Sequence, residues 1–309
     1  MIYTCTMNPA IDLYVALDEL RADTVNRTID EDYQANGKGV NVSIMLKKLG
    51  IDSVALGFIA GFTGKYIQGF LEELDIKTDF VLVDGITRIN VFVNSDSEYK
   101  IVNQGPFISI KYQKLLLEKI RAIPSNSILV VSGSLPKGVS ETIIIDIAKI
   151  CKEREIKLVL DTSVKSVMDS IEYNPYLLKP NEEELANLFE KDYSLSENEL
   201  IEYGNVLLDK GAQNVLVSRG EEGAIFLSKD NLMKTNSPQG EVVNTACAGD
   251  AMLASFIGKQ ILSESLEKSL IYATAVGSST AFSKGLSDLK DIAKLVEEVS
   301  VQKIKGEQL

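Results

Sequence analysis

Histidine is absent from all 309 positions of the sequence. Its absence excludes catalytic triads and general bases built on imidazole, and it excludes the common zinc sites that use histidine ligands. Cysteine is scarce: Cys5, Cys151 and Cys247 are the three in the chain, and no two of them form a CxxC pair. An odd number of widely spaced cysteines indicates a reduced chain without a disulfide framework.

Basic residues are also in short supply, with 32 Lys and Arg against 44 Asp and Glu and a formal charge of −12. Such a field repels phosphate backbones, so we expect no nucleic-acid partner. The longest apolar run, residues 54–62, is far shorter than the roughly 20 residues that span a bilayer, so we expect no membrane partner. The first six residues lack the features of a signal peptide, and together with the reduced cysteines they predict a cytoplasmic protein.

The pattern of apolar residues predicts an α/β fold. Short β-branched runs alternate with longer amphipathic stretches, as expected for βαβ units around a mostly parallel sheet. The predicted strands are residues 2–6, 54–59, 128–132, 158–161, 215–218 and 224–227. The predicted helices are residues 40–49, 65–74, 111–122, 140–154, 182–189, 197–210 and 251–261.

Two regions differ from this alternation, residues 13–36 and 84–103. Polar and apolar residues alternate in both, and neither contains the helix that a parallel crossover needs. We therefore predict antiparallel strands set apart from the main sheet, which would form a small lid. Because no repeats or Pro/Gly-rich linkers occur, we predict a single domain over residues 1–309 with this lid inserted.

The strongest local signal for chemistry is the segment 244–251, Asn-Thr-Ala-Cys-Ala-Gly-Asp-Ala, which leads into an apolar helical run. An Ala-Gly-Asp sequence at a helix start lets backbone N–H groups approach an anion, and the helix dipole favours negative charge there. A carboxylate at Asp250 could accept a proton from an attacking hydroxyl. Taken alone, Thr245 or Asp250 as a simple helix cap is the commoner arrangement.

Other turns carry polar residues that admit both a structural and a functional interpretation. The Gly-rich segment 36–41 surrounds Lys38 and suits a small anionic or polyhydroxylated ligand, although it lacks the P-loop spacing. Asn181 and Glu184 have the spacing of a capping box, and the same amide and carboxylate could organise a Mg²⁺-bound nucleotide. Segments 132–136 and 218–223 are ordinary turns if taken alone, but strand ends are where α/β sheets bind ligands.

Taken in order, these segments resemble the ribokinase-like (PfkB) family of sugar kinases. The resemblance covers nearly the whole chain, from the Asn-Pro-Ala-Ile-Asp segment at 8–12 to the helix that follows Asp250. It implies a three-layer α/β/α sandwich with a mostly parallel sheet and a β-sheet lid. Many members of the family dimerise through their lids, so it also implies a homodimer.

Within the family the resemblance is strongest to the bacterial hexose-phosphate kinases, and to the 1-phosphofructokinase group in particular. Segments 57–64, 87–91, 105–106, 132–136 and 161–163 carry it. It implies ATP-dependent phosphorylation of fructose 1-phosphate at O6 to give fructose 1,6-bisphosphate. Kinases of tagatose 6-phosphate or of another phosphosugar remain alternatives, and a non-catalytic protein that binds sugar phosphate and ATP is a third.

The resemblance also implies roles for individual residues. Asp250 would be the general base, with Ala248 and Gly249 in the anion hole around the transferred phosphoryl group. Sugar-phosphate positions are Asp12, Gly37, Lys38, Asn41, Arg88, Ser134 and, less directly, Arg27. ATP-binding positions are Lys179, Asn181, Ser218, Arg219, Gly220, Glu221, Glu222, Gly223 and again Gly249. Glu184 would hold Mg²⁺, directly or through water; ATP and Mg²⁺ are the implied cofactors, and a K⁺ requirement stays open.

The chain departs from the family pattern at a few positions. Cys247 stands where the Gly-Ala-Gly-Asp motif usually begins with glycine, and Asn36 replaces one glycine of the usual Gly-Gly-Lys-Gly. Val164 replaces the glycine that usually follows Asp-Thr-Ser, and residues 100–102 replace a common Glu-Ile-Asn. The first change bears on the anion hole and the last on substrate preference. Since Asp250 and the neighbouring glycine are retained, we expect activity.

Overall fold

The computed structural model describes residues 1–304, which contain fifteen strands and ten α-helices. The strands are β1 (Ile2–Thr6), β2 (Ala10–Ala16), β3 (Asp30–Asn36), β4 (Ser53–Ala60), β5 (Lys77–Thr78), β6 (Val81–Val83), β7 (Arg88–Asn94), β8 (Glu98–Ile101), β9 (Ile128–Ser132), β10 (Lys157–Asp161), β11 (Leu177–Leu178), β12 (Asn214–Ser218), β13 (Ala224–Ser228), β14 (Asn231–Thr235) and β15 (Val301–Lys303).

The helices are α1 (Lys38–Lys48), α2 (Gly61–Glu73), α3 (Ile110–Arg121), α4 (Thr142–Glu153), α5 (Val167–Ser170), α6 (Glu182–Leu188), α7 (Glu197–Asp209), α8 (Ala248–Ile261), α9 (Leu266–Ala281) and α10 (Ile292–Glu298). All six predicted strands and all seven predicted helices are confirmed, with bounds that differ by a few residues. None of the helices within residues 1–304 combines the length and the hydropathy needed to cross a bilayer.

Eleven strands form the main sheet, in the order β15-β14-β13-β12-β11-β10-β9-β1-β4-β5, with β6 also paired to β4. The pairs from β5 and β6 through to β12 are parallel. From β12 onward the chain runs as antiparallel hairpins, and β15 closes that edge. The predicted mostly parallel sheet is therefore confirmed.

Helices cover both faces of this sheet. In β9, Leu129 and Val131 face a core that also contains residues of α3, α4, α6 and α7. The alternate residues Ile128 and Val130 face a second core built with α1, α8 and α9. Successive side chains of a strand point to opposite faces, so a strand that is apolar throughout is buried between two helical layers. The three-layer prediction is confirmed.

A separate sheet of four strands, in the order β3-β2-β7-β8, lies apart from the main one. We call it the small sheet. Its outer pairs are antiparallel, but β2 and β7 at its centre are parallel. The prediction of antiparallel strands alone was wrong on this point, because β2 and β7 come from distant segments and the chain between them, with α1, β4 and α2, supplies the crossover that a parallel pair needs. The first strand also begins at residue 10 rather than 13.

Candidate active site

The carboxyl ends of the parallel strands and the N-termini of α1, α6 and α8 surround a cavity of about 540 Å³. This volume lies within the range of small-molecule sites, and the edge of the sheet is the one where α/β folds bind ligands. The predicted site residues that line the cavity are Asp12, Lys38, Asn41, Lys179, Asn181, Glu184, Ser218, Gly220, Glu221, Ala248, Gly249 and Asp250. Segments far apart in the sequence therefore converge on one site.

Asp250 lies in the first turn of α8 and is only 5% exposed. Its Oδ2 accepts a hydrogen bond of 2.8 Å from Nδ2 of Asn41 on α1. Burial, helped by the negative charge of Asp161, raises the pKa of Asp250 to about 7, and the Asn41 hydrogen bond and two lysines oppose this rise. A carboxyl group with a pKa near neutrality is suited to accept a proton from a substrate hydroxyl.

The start of α8 presents backbone N–H groups to the cavity beside Asp250. The first N–H groups of a helix have no partner within the helix, and the helix dipole favours an anion there. Cys247, the residue just before α8, has the left-handed φ of 64°. Such a φ is unusual for a residue with a side chain, which explains why glycine suits this position. At Gly249 an added Cβ would come 3.3 Å from Nζ of Lys179, so this glycine leaves the lysine room beside the helix start.

Four charged side chains form an ion-pair network on the cavity floor. Asp161, the last residue of β10, is fully buried, and its Oδ1 lies 3.2 Å from Nζ of both Lys38 and Lys179. Nζ of Lys38 also lies 3.1 Å from Oε1 of Glu184. Burial acts to raise the pKa of Asp161, but the two lysines outweigh it and lower that pKa, so the carboxylate is ionised. The network fixes two cations close to the start of α8.

Asp12 on β2 is a polar residue that lines the cavity on the side of the small sheet. Its Oδ1 accepts a hydrogen bond of 2.8 Å from Nδ2 of Asn90, and its Oδ2 accepts one of 2.6 Å from Nδ2 of Asn36. Burial raises the pKa of Asp12, while these two hydrogen bonds and the charge of Arg88 oppose the rise. A carboxylate held in this way can accept hydrogen bonds from the hydroxyl groups of a sugar.

The capping box predicted for Asn181 and Glu184 is confirmed at the start of α6. The Asn181 side chain accepts from the Glu184 N–H, and Glu184 Oε2 accepts from the Asn181 N–H at 3.0 Å. A bridge between Asn181 and Ser218 brings this helix start next to the turn that follows β12. The capping box and the site are therefore the same structure, and the two interpretations of this segment do not compete.

The carboxylates of Glu184 and Asp161 have the chemistry needed to bind Mg²⁺. Glu184 is partly exposed to the cavity, and Oδ2 of the buried Asp161 has no hydrogen-bond partner among the described residues. Within residues 1–304 no group of three or more ligating side chains could form a complete protein cage for a metal ion. Mg²⁺ keeps several waters and is usually held by one or two carboxylates together with substrate phosphates, so this donor set fits it.

The structure places Arg219 away from the cavity wall. Its side chain is 5% exposed, and the guanidinium pairs with Glu182 at 2.9 Å, with Glu197 at 2.7 Å and with Glu222. These carboxylates come from the starts of α6 and α7 and from the turn after β12. Arg219 therefore ties the capping-box helix to the predicted nucleotide turn. Ser218, Gly220 and Glu221 line the cavity; Glu222 and Gly223 do not.

We expect Arg219→Gln to lower the free energy of unfolding by about 1–2 kcal/mol at pH 7. The figure is modest because the three carboxylates are partly exposed to solvent. Hydrogen bonds from Lys234 and Arg219 hold the pKa of Glu197 below its ordinary value. That part of the stability is present above the ordinary pKa of a glutamate and disappears as the pH falls through the lower folded value.

Urea unfolding of the wild type, Arg219→Gln and Arg121→Gln at several pH values checks this expectation. Arg121 is exposed at the end of α3 and serves as the matched control. If the free energy of unfolding falls no more in Arg219→Gln than in the control, Arg219 does not stabilise the contact between α6 and the turn after β12.

Arg88, Ser134 and Gly37 lie beside the cavity rather than on its wall. Arg88 donates to the carbonyl oxygens of Asn8 (2.9 Å) and Asn103 (3.0 Å), and Ser134 Oγ accepts from Asn8 Nδ2 at 3.3 Å. Arg88 also lines a neighbouring depression at the base of the small sheet. Gly37 has a φ of 137° and turns the chain from β3 into α1. Arg27 is exposed in the loop between β2 and β3.

Several residues of the site were not among the predicted site residues. Asp161 and Asn90 lie behind the cavity wall and contact lining residues, Asp161 through Lys38 and Lys179 and Asn90 through Asp12. Both appeared only within segments of the resemblance, although a carboxylate at the end of a buried parallel strand is a signal that could have identified Asp161. The far wall is formed by the segment after β14 and by α9, through Ser237, Pro238, Gln239, Gly240, Val242, Thr274, Gly277, Ser278, Ala281 and Phe282. These are small or isolated residues, and nothing in their local sequence marks a binding surface.

We compared the chain with protein families, characterised proteins and solved structures. The model of the pfkB family carbohydrate kinases matches residues 4–292. The chain is 52% identical over 301 residues to D-tagatose-1-phosphate kinase of Bacillus licheniformis, covering 97% of this chain and 99% of the relative. It is 36% identical over 304 residues to 1-phosphofructokinase of Bacillus subtilis, covering 98% and 100%. The structure of Escherichia coli phosphofructokinase-2 in complex with fructose-6-phosphate has a TM-score of 0.87 and 25% identity, covering 96% of this chain and 98% of that chain.

Proposed function

Because the chain belongs to the pfkB family of carbohydrate kinases, we propose that it transfers the γ-phosphoryl group of ATP to the 6-hydroxyl of a ketohexose 1-phosphate. The proposal rests on the environment of Asp250. Its carboxyl group is buried at the start of α8, has a pKa of about 7, and lies next to the Asn41 amide and the ion-pair network that contains Lys38 and Lys179. The site therefore places a base close to two positive charges. Phosphoryl transfer needs both, and it needs no imidazole.

In the proposed reaction the sugar hydroxyl approaches Asp250 and gives up its proton to the carboxylate. The hydroxyl oxygen forms a bond to the γ-phosphorus as the bond to the β-phosphate oxygen of ATP breaks, and ADP leaves with that electron pair. Lys38, Lys179 and the first N–H groups of α8 balance the negative charge of the transferred group. Bound Mg²⁺ would neutralise charge on the ATP phosphates, and Glu184 and Asp161 are the residues that would hold it.

The second part of the proposal concerns which sugar phosphate is the substrate. D-Tagatose and D-fructose differ only in the configuration at C4, so their 1-phosphates offer the same phosphate and the same 6-hydroxyl. The 52% identity to a D-tagatose-1-phosphate kinase supports tagatose 1-phosphate. The resemblance of the sequence and the 36% identity to a 1-phosphofructokinase support fructose 1-phosphate. We propose tagatose 1-phosphate as the preferred substrate and fructose 1-phosphate as the second candidate.

An ADP-release assay with MgATP tests the proposal. It compares tagatose 1-phosphate, fructose 1-phosphate, tagatose 6-phosphate and fructose 6-phosphate, ranked by kcat/KM. A clear preference for a 1-phosphate supports the substrate class, and the ratio of the two 1-phosphates decides the C4 configuration. A preference for a 6-phosphate would contradict it. A folded protein that binds ATP and turns over none of the four would also contradict it, and would leave a kinase of another phosphosugar or the non-catalytic binding protein.

We expect kcat/KM for the sugar to fall about tenfold per pH unit below about pH 7, because only ionised Asp250 accepts the proton. The sign follows from the raised pKa: the acid form, which cannot accept a proton, predominates at lower pH. A profile of kcat/KM between about pH 5.5 and 9 checks this expectation. An acid limb near the ordinary pKa of an aspartate would contradict it.

We also propose that the small sheet acts as a lid and that two copies of the chain associate through it. The small sheet carries large side chains that are well exposed, among them Tyr33 at 52%, Tyr99 at 41% and Ile101 at 54%. Exposed apolar side chains grouped on one sheet are typical of a protein interface. Sedimentation of the wild type and of Ile101→Glu tests the association: a dimer that dissociates in the variant supports it, and a monomeric wild type overturns it.

A further inference from the structure

A chain of side-chain hydrogen bonds runs from the small sheet to the base. Asn90 on β7 donates to Asp12 Oδ1 at 2.8 Å, and Asn36 at the end of β3 donates to Asp12 Oδ2 at 2.6 Å. The same Asn36 accepts at Oδ1 from Asn41 Nδ2 at 2.8 Å, and Asn41 Nδ2 donates to Asp250 Oδ2 at 2.8 Å. The two carboxylates of the site are thus joined through amides alone.

Asn36 is the link at the centre of this chain. The two ends of its amide have different partners. The NH₂ group faces the Asp12 carboxylate, and the oxygen accepts from the Asn41 NH₂ group and from the Gly37 N–H. An amide has donors at one end and acceptors at the other, so these contacts leave a single orientation for both asparagines. In that orientation Asn41 presents a donor to Asp250. A rotated Asn41 amide would present its oxygen to the carboxylate and repel it.

We propose that Asn36 is a positioning residue for the base. It holds the Asn41 amide against Oδ2 of Asp250, and it thereby leaves Oδ1 as the oxygen that accepts the proton of the substrate hydroxyl. Because Asn36 also holds Asp12, the geometry of the sugar-binding carboxylate and that of the base are set by one side chain. This inference rests on the proposed function for its kinetic consequences, but the hydrogen-bond chain itself does not need a substrate.

The Asn41 hydrogen bond opposes the rise in the pKa of Asp250. Nδ2 of Asn41 also lies 3.1 Å from Sγ of Cys247, but a thiol is both a weak donor and a weak acceptor and does not fix the orientation of the amide. Loss of Asn36 therefore removes the contact that orients Asn41 and weakens its bond to Asp250, so we expect the pKa of Asp250 to move further up. The other ionisable groups that face Asp250 are Asp161 from β10, Lys38 from α1, Lys179 after β11 and Cys247 before α8. The substitution replaces none of them.

The test compares Asn36→Ala with Asn94→Ala, a control on the same small sheet whose side chain is exposed at the end of β7. Asn36→Ala removes the hydrogen bonds to Asp12 and Asn41 and the one that the Gly37 N–H donates to Asn36 Oδ1. Loss of the two contacts to site side chains is expected to lower kcat/KM for the sugar by about 10- to 30-fold. The acid limb of the pH profile moves to higher pH in Asn36→Ala and stays in place in the control. Asn36→Ser retains a hydroxyl that can make one of the two contacts, and it is expected to give an intermediate effect if the alanine variant folds poorly.

A second readout needs no turnover. Carboxyl ¹³C resonances of labelled protein are titrated by NMR, and the Asp250 signal is assigned by its loss in Asp250→Asn. An Asp250 pKa that is higher in Asn36→Ala than in wild type supports the proposal. An unchanged Asp250 titration overturns it, even if activity falls, because Asn36 would then be only a sugar contact. Activity within twofold of wild type with an unchanged titration overturns it as well. A wild type inactive on all four sugars refutes the proposed function, and the titration still decides the role of Asn36.

Discussion

The Asp250→Asn variant is expected to lose about 10²–10⁴-fold in kcat, the range found when a positioned general base is removed. Asparagine has nearly the same shape and can still accept the hydrogen bond of 2.8 Å from Asn41, but it cannot take up a proton from the substrate hydroxyl. KM for the sugar should change little, because the lost interaction is made mainly in the transition state. Steady-state kinetics with the preferred sugar measures both parameters.

The same substitution should make the protein more stable at high pH. The pKa of Asp250 lies above its ordinary value of 3.8, so the folded state disfavours the ionised carboxylate. Stability is therefore lost as the pH rises from about 4 towards 7, and asparagine is free of this loss. We expect Asp250→Asn to exceed the wild type by a few kcal/mol at about pH 8 and to match it near pH 4.

Urea unfolding at the two pH values separates a lost base from a damaged fold. A variant that loses activity and also loses stability at pH 8 would contradict the assignment, because a merely structural aspartate behaves in that way. Near-normal kcat in a folded sample would exclude Asp250 as the base.

The second large effect is expected at Lys179. Lys179→Met should lower the free energy of unfolding by roughly 3–5 kcal/mol, because it leaves a buried carboxylate without one of its two cations. Asp161 is 0% exposed and Lys179 is 3% exposed, with 3.2 Å between them. Lys38 still pairs with Asp161 at 3.2 Å, which places the expected loss at the lower end of that range.

The chain offers a matched control for this prediction. Lys165 pairs with Glu190 at 3.1 Å, but the two side chains are 75% and 77% exposed, so Lys165→Met should change stability by less than about 1 kcal/mol. The double variant Asp161→Asn/Lys179→Met should recover part of the loss, since it removes the unpaired charge as well. Urea unfolding measures the free energy of unfolding of each variant. Equal decreases in Lys179→Met and Lys165→Met would show that the buried Lys179–Asp161 pair stabilises the fold no more than an exposed pair does.

The site residues that could be predicted from a local sequence pattern are those that also begin a helix, because a short segment then carries both the structural and the functional pattern. Asn181 and Glu184 form a capping box three residues apart, and Asp250 sits in the first turn of an apolar helix, so short segments carry the signal. The contacts between segments could not be predicted in the same way. Arg219 belongs to a turn that resembles a nucleotide-binding segment. Its guanidinium nevertheless points away from the cavity, because it pairs with Glu182 and Glu197 from distant parts of the sequence as well as with Glu222 in its own turn.

Secondary structure shows the same division. Helices with a stripe of large apolar residues were predicted, whereas α9 was not. Its buried face consists largely of Ala, Gly, Ser and Thr, which give little contrast between an apolar and a polar side. The short strands β5, β6 and β11 contain two or three residues each, too few for a period of two to be visible. The asparagine bridge at Asn36 was likewise invisible, because in sequence it is only a departure from a glycine.

The parallel pairing of β2 with β7 bears on how the chain reaches this structure. Roughly 70 residues separate the two strands, and they include α1, β4 and α2 of the main body. Closing so long a loop costs conformational entropy before any contact between the strands compensates for it, and pairings between distant segments form slowly. A nascent chain that has reached the end of β4 can begin to build the main sheet, but it has no partner for the inner edge of β2. We therefore expect Asp12 to meet Asn90 only after the main sheet has begun to form, so that the half of the cavity beside the small sheet is completed late in folding.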